Sequence, residues 1–211
     1  MQPTTEMPDT PDMPEAPEAP GSPEILVLCG AAGVGKSTTA YEVSRRLGRA
    51  DVPHALIDTD QLDQVHPWPP PGLGPSELSR RNLAAVWANL ADVGHTRLIL
   101  TGVFVALERE LAWIAAAVPG AGITSVRLTA DVSTLECRVR RREIDSQAEG
   151  QLVRTLRQYA ALGCPEPPGT TVIDTTGRTV ARVASEVIAV WLGGGGGRGG
   201  AGERSGSGGN P

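Results

Sequence analysis

A glycine-rich segment set between a short apolar run and a helix-patterned stretch constrains this chain more than any other feature: Gly30-Ala31-Ala32-Gly33-Val34-Gly35-Lys36-Ser37. Before it, Ile25-Leu26-Val27-Leu28-Cys29 is continuously apolar and ends in glycine, the pattern of a strand buried on both faces. After it, Tyr41, Val43 and Leu47 recur at helical spacing from Ser37 to Leu47, and Gly48 is expected to end that helix. Glycines 30, 33 and 35 let the backbone take left-handed angles, so that successive N–H groups converge on one point. The helix that begins at Lys36-Ser37 adds its unsatisfied N–H groups and the positive end of its dipole. Such a turn is built to hold an anion.

The rest of the chain supplies partners for that first strand. His54 to Asp58, Arg97 to Thr101, Ile123 to Thr129 and Thr171 to Asp174 read as four more strands. Helices are expected from Ser76, as cap, to about Val93, closed by Gly94, and from Leu107 to Val118, stopped by Pro119-Gly120. A further helix, capped by Asp131, runs to Arg142; after the polar stretch Glu143 to Gly150 come helices over Gln151–Leu162 and Thr179–Leu192. His66-Pro67-Trp68-Pro69-Pro70-Pro71-Gly72 can be neither helix nor inner strand. Alternating strands and helices demand an α/β fold: three layers, with a five-stranded parallel sheet covered by helices on both faces. Ligands of such sheets bind at the carboxyl ends of the strands.

Composition sets the bounds. Residues 1–23 repeat Pro with Glu, Asp and Thr, and residues 193–211 are almost all Gly, Ser and isolated charges. Neither stretch has enough apolar mass to offset its ordering entropy, so both are expected to be disordered around one domain over residues 24–192. No secretory leader is expected, because the start lacks a basic region and an apolar core. A net charge of −5 argues against a nucleic-acid partner, and no apolar run approaches the ~18 residues of a membrane helix. The three cysteines, Cys29, Cys137 and Cys164, form neither a disulfide framework nor a metal pattern. They are expected to be small apolar fillers in a reducing cytoplasm, in a monomer or homodimer.

The glycine segment satisfies the Walker A spacing, Gly-x-x-x-x-Gly-Lys-Ser, so residues Gly30 to Thr38 are the expected contacts for the phosphates of ATP. Lys36 can reach the β- and γ-phosphates, and the Ser37 hydroxyl is placed for Mg²⁺. Many chains with this motif end another apolar strand in a metal-binding Asp, but here Leu98-Ile99-Leu100-Thr101-Gly102 carries no carboxylate. Asp58-Thr59-Asp60 follows the second strand instead. Alternate residues at a strand end diverge, so Asp58 can serve the metal through water while Asp60 positions or deprotonates an acceptor hydroxyl. The same two residues also fit a simple loop cap, and Asp63 is held in reserve. Leu135, Arg138, Val139 and Arg142 lie three and four apart, so the leucine and valine can bury while both arginines share an adjoining face. One guanidinium can stack on adenine and the other can neutralise charge on a transferred phosphoryl group; a solvated basic helix end is the plainer alternative.

From Glu24 to Leu192 the chain resembles the small-molecule kinase branch of the P-loop fold, which includes shikimate kinase, gluconate kinase, chloramphenicol phosphotransferase and the nucleoside monophosphate kinases. Asp58-Thr59-Asp60-Gln61 is similar to the Asp-Ser-Asp element of shikimate-kinase-like enzymes. The resemblance implies Asp58 near Mg²⁺, Asp60 at the acceptor hydroxyl, Arg138 on the adenine, and Arg142 at the start of a lid. It further implies that Asp174-Thr175-Thr176-Gly177-Arg178 closes over the other side of the adenine. Two features of shikimate-type enzymes are missing: a glycine run after the third strand, and an arginine at their spacing after the lid. Shikimate is therefore not the expected acceptor. Arg80-Arg81-Asn82, His66 and Trp68 are open candidates for an acceptor pocket, beside plainer roles as a helix start and a stiff loop.

The expected activity is ATP-dependent phosphoryl transfer to a small-molecule hydroxyl or phosphate. The alternatives are an ATPase or regulatory nucleotide-binding domain without that activity, and a toxin-like kinase of nucleotide sugars. The chain has no Asn-Lys-x-Asp element, which speaks against a guanine-specific switch.

Overall fold

The computed structural model describes residues 21–142, 147–162 and 166–193, the side chains of Arg142, Gln147 and Ala148 excepted. Both terminal stretches expected to be disordered lie mostly outside the described residues, as do Cys164 and the first residues of the expected lid.

Among the described residues, five strands form one sheet: β1 (Glu24–Cys29), β2 (Ala55–Asp58), β3 (Arg97–Gly102), β4 (Gly122–Thr129) and β5 (Thr171–Asp174), in the order β2-β3-β1-β4-β5. Every pairing is parallel. In the register of the centre, Leu26 lies between Ile99 of β3 and Thr124 of β4. Six helices cover the sheet: α1 (Lys36–Arg49), α2 (Glu77–Asp92), α3 (Leu107–Ala117), α4 (Val132–Arg142), α5 (Gln147–Ala161) and α6 (Val180–Gly193).

The pleat of β1 divides the core in two. Leu26 and Leu28 point to one face, where Ala40, Val43 and Leu47 of α1 meet Val183, Val187 and Trp191 of α6. Ile25, Val27 and Cys29 point to the other, against Leu83 and Trp87 of α2 and Trp113 and Ile114 of α3. Because both faces are covered, β1 has to be apolar at every position, and burying each such side chain contributes ~1.5–3 kcal/mol. Burial also pushes the Cys29 thiol up to about 11, so it behaves as an apolar filler.

Several local expectations change. Gly48 does not end α1; the helix runs to Arg49, and the chain turns at Asp51 with φ 54°. An Asp tolerates that left-handed angle, so the turn falls three residues later than the glycine suggested. The Ser76 side chain makes no capping bond to α2, although Gly94 does close that helix region at φ 86°. Helix α5 begins at Gln147, four residues earlier than its apolar spacing implied. Asp131 caps α4 as expected, its Oδ1 accepting from the Thr134 amide at 2.6 Å and the Ser133 hydroxyl at 2.9 Å. These bonds hold the Asp131 carboxyl below its usual range. Cys137 is exposed, so the filler role does not extend to it. At the edges of the expected domain, the Pro23 carbonyl accepts from the Gly122 amide at 2.8 Å, and α6 extends through Gly193. Among the described residues, no helix is long and apolar enough to cross a membrane.

Candidate functional site

The loop from Gly30 to Gly35 leaves the carboxyl end of β1 in the conformations its glycines permit, with φ 139° at Gly30, 82° at Gly33 and 100° at Gly35. Gly30 is needed twice over. A Cβ there would stand 2.3 Å from the Leu128 carbonyl oxygen, so β4 can approach the loop only because this residue has no side chain. Gly35 caps α1 through its backbone, its carbonyl accepting from the Thr39 amide at 2.9 Å. The Lys36 ammonium folds over the loop and donates to the Ala31 carbonyl at 3.0 Å. Ala32 through Thr39 line a cavity of about 510 Å³ above the strand ends.

The end of β2 feeds the same cavity. Thr59 turns inward, its buried hydroxyl donating to the Thr101 carbonyl at 2.9 Å, while Asp58 and Asp60 on either side reach the cavity. Asp58 Oδ1 also accepts from the Asp60 amide at 3.2 Å, starting a short 3₁₀ turn over Thr59–Gln61. Capping the loop and facing the phosphate cradle are thus compatible. Burial, followed by the nearby Asp58 carboxylate, pushes the Asp60 carboxyl above its usual range; Asp63 adds to this and Lys36 opposes it. The structure also explains the absent carboxylate on β3. A Cβ on Gly102 would meet the Phe104 ring and the Thr59 hydroxyl at 2.5 Å each, so no side chain fits there.

Helix α4 and the loop after β5 close the other side. Leu135 and Val139 are buried, and both lie within 3.5 Å of where a side chain at Gly33 would stand. Arg138, on the adjoining face, clamps two loops together. Its Nη1 donates to the Gly33 and Val34 carbonyls at 3.3 and 3.2 Å and to the Thr175 hydroxyl at 3.0 Å, and its Nη2 donates to the Thr175 carbonyl at 3.0 Å. Thr175 reinforces the clamp, its hydroxyl lying 3.0 Å from the Val34 carbonyl and 2.9 Å from that of Thr129. Arg178 also lines the cavity, and donates to the Asp174 carbonyl at 2.9 Å and to Glu186. Arg142 is the last residue of α4; its side chain lies outside the described residues.

Helix α5 contributes residues that the sequence reading did not single out. Gln151, Arg154 and Gln158, spaced three and four apart, face the cavity together. Gln158 Oε1 accepts from the Ala32 amide, a donor of the cradle itself, at 3.1 Å. The polar stripe beside the buried Thr155 was the available signal. Arg154 means that the cavity does receive an arginine from the helix after the lid. Arg80 and Arg81, by contrast, pair with Glu77 of their own helix, and Asn82 holds the Leu62 carbonyl at 2.6 Å. None of the three lines the cavity.

Ser37 and Asp58 share the cavity wall, an all-oxygen pair suited to a hard cation. Among the described residues no cluster of three or more His, Cys, Asp or Glu could hold a metal alone. Mg²⁺ fits this arrangement nonetheless, since it keeps several waters and takes its remaining ligands from nucleotide phosphates.

No protein-family model matches the chain, and no curated protein matches it in sequence. Solved structures do match. An APS kinase from Mycobacterium tuberculosis, in complex with AMPPNP and APS, is 24% identical with a TM-score of 0.54, over 81% of this chain and 98% of that one. A gluconokinase from Sinorhizobium meliloti is 20% identical with a TM-score of 0.53, over 81% and 92%. A tunicamycin resistance protein from Deinococcus radiodurans is 22% identical with a TM-score of 0.50, over 79% and 94%. The parallel sheet, the strand order and these neighbours together identify the architecture as the P-loop fold shared by small-molecule kinases.

Proposed function

We propose that this chain is a kinase that binds ATP with Mg²⁺ and transfers the γ-phosphoryl group to a small molecule, with residues 24–192 carrying the activity in a reducing cytoplasm. The observation behind this reading is that the glycine loop with Lys36 and two carboxylates, Asp58 at the end of β2 and Asp60 in the turn after it, meet in one cavity of about 510 Å³. In this reading the amides of the loop and the Lys36 ammonium hold the phosphates. Ser37 and Asp58 would hold the metal, which supplies neutralisation of phosphate charge. Asp60 accepts the proton of the attacking oxygen, a role that its raised pKa suits, because a stronger base gains more from taking that proton. Arg138 keeps the cradle and the β5 loop in register and leaves its flat face for a base to stack on. Arg142 is assigned the charge that develops on the transferred phosphoryl group, and Arg178, in the loop after β5, the other side of the adenine.

The test is transfer from γ-labelled ATP by the parent, Asp60→Asn and Asp58→Asn across a Mg²⁺ series. Asp60→Asn should bind ATP normally and lower the maximal rate by about 10²- to 10⁴-fold. Asp58→Asn should instead raise the Mg²⁺ needed for half-maximal rate. If the parent transfers label and neither variant changes anything, the roles given to Asp58 and Asp60 fall; if the parent binds ATP and transfers none, a nucleotide-binding domain without transfer is the better account.

A further inference from the structure

A second cavity, of about 250 Å³, adjoins the phosphate site and shares Asp60 and Val103 with it. Its walls come from the turn after β2, the Pro-rich loop and first turn of α2, the loop after β3, and α3. A molecule bound there would lie against Asp60, the carboxylate that also lines the phosphate site.

The charges on its walls are lopsided. Asp60, Asp63 and Glu110 face it as carboxylates, against one guanidinium, Arg109. Asp63 is fixed by the Ser79 hydroxyl at 2.7 Å, and Glu110 accepts from the indole N–H of Trp113. Arg109 is 68% exposed at the rim and is engaged at 3.4 Å by Glu110. An acceptor bearing a carboxylate or phosphate would therefore add negative charge beside three carboxylates, with the local cation already engaged. Three aromatic side chains and the hydroxyl residues Thr59, Ser76 and Ser79 help to complete the wall. Phe104 and Trp113 are buried, and the indole of Trp68 stands half exposed at the cavity. An aromatic face set among convergent polar groups suits a ring that shows C–H groups on its faces and hydroxyls at its edge.

We propose that the phosphoryl acceptor is a polyhydroxylated molecule of about one sugar ring that carries no negative charge, stacked on Trp68 with a hydroxyl directed at Asp60. This rests on the kinase reading above. In the step, an acceptor oxygen forms its bond to the γ-phosphorus while the bond from that phosphorus to the β,γ-bridging oxygen breaks. The bond's electron pair leaves on ADP, and the hydroxyl proton passes to Asp60. Arg80 and Arg81 line neither this cavity nor the phosphate site.

The experiment uses the full chain with Mg²⁺ and γ-labelled ATP. A microbial small-molecule extract is divided at neutral pH on an anion-exchange resin, and each half is offered as acceptor, with ATP binding followed in parallel by calorimetry. Label should enter a compound of the unretained half. Trp68→Ala should raise the KM for that compound at least tenfold while leaving the KM for ATP within twofold. Label entering only compounds of the retained half overturns the acceptor class and leaves the kinase reading standing. An unchanged acceptor KM in Trp68→Ala overturns the stacking. If ATP binds and label enters neither half, the kinase reading itself falls, and the acceptor proposal with it.

Discussion

Replacing Arg138 by alanine should damage both the fold and the nucleotide site, because one side chain joins the glycine loop to the β5 loop. It makes four hydrogen bonds, two at 3.0 Å to Thr175 and two longer ones to Gly33 and Val34. Bonds from a charged donor are worth ~1.5–3 kcal/mol each, but four do not add when three share one nitrogen and the group is partly exposed. Counting only the two at 3.0 Å, at the low end, gives about 3 kcal/mol. For a domain of this size, 1 kcal/mol moves Tm by roughly 2–4 °C, so Arg138→Ala should melt roughly 6–12 °C below the parent. Affinity for ATP should fall as well, since the loop carbonyls lose the clamp that sets the direction of their amides. Arg138→Lys is the informative control: it keeps the charge but cannot fork to both Thr175 atoms, so it should recover only part of the loss. Thermal unfolding and calorimetry on the three proteins decide the matter. A Tm for Arg138→Ala within 2 °C of the parent would refute the clamp.

Further outcomes follow from the same geometry. Asp60 titrates above the ordinary aspartate value of 3.8, so the acid limb of the kcat/KM profile should lie above that value and vanish in Asp60→Asn. The sign for stability is opposite to that of a salt-bridged acid. A raised folded pKa means that the ionised carboxylate costs stability above the unfolded pKa, so Asp60→Asn should melt no lower than the parent at pH 7 and lose any advantage as the pH falls through that range. Gly30→Ala, whose Cβ would stand 2.3 Å from a backbone oxygen, should lose at least ~3 kcal/mol in denaturant unfolding. Gly33→Ala, with its nearest neighbour at 3.4 Å, should lose only the ~1–2 kcal/mol of a left-handed residue. Gln158→Ala frees the Ala32 amide and should tighten ATP by about 2- to 10-fold in calorimetry, the worth of one neutral hydrogen bond. Weaker binding would instead make Gln158 a contact for the phosphates.

Much of this architecture was legible because its signals are local. A strand buried on both faces has to be apolar throughout, and an anion loop has to place glycine where φ is positive; both appear in residues 25 to 35 without reference to the rest of the chain. The placing of Leu135 and Val139 under Arg138 was likewise fixed by helical spacing. What the sequence hid depends on contacts between distant residues. Nothing in Arg80-Arg81-Asn82 reveals that Glu77 and the Leu62 carbonyl will claim it, and nothing in Gln158 reveals the Ala32 amide 126 positions away. Gly102 is read only in three dimensions, where Thr59 and Phe104 fill the space a carboxylate would need. The late end of α1 shows a weaker local cue giving way, with Asp51 rather than Gly48 taking the left-handed turn.

The central claim is that the loop ending in Lys36 holds the phosphates of ATP with Mg²⁺, and calorimetry on Lys36→Ala tests it most directly. Lys36 lines the cavity beside the loop amides, and an alanine there removes a charged donor without opening the core. Binding should weaken by about 10- to 100-fold, the equivalent of one charge-assisted hydrogen bond, with thermal unfolding little changed. ATP·Mg²⁺ bound by Lys36→Ala as tightly as by the parent would contradict the assignment of this loop as the phosphate site.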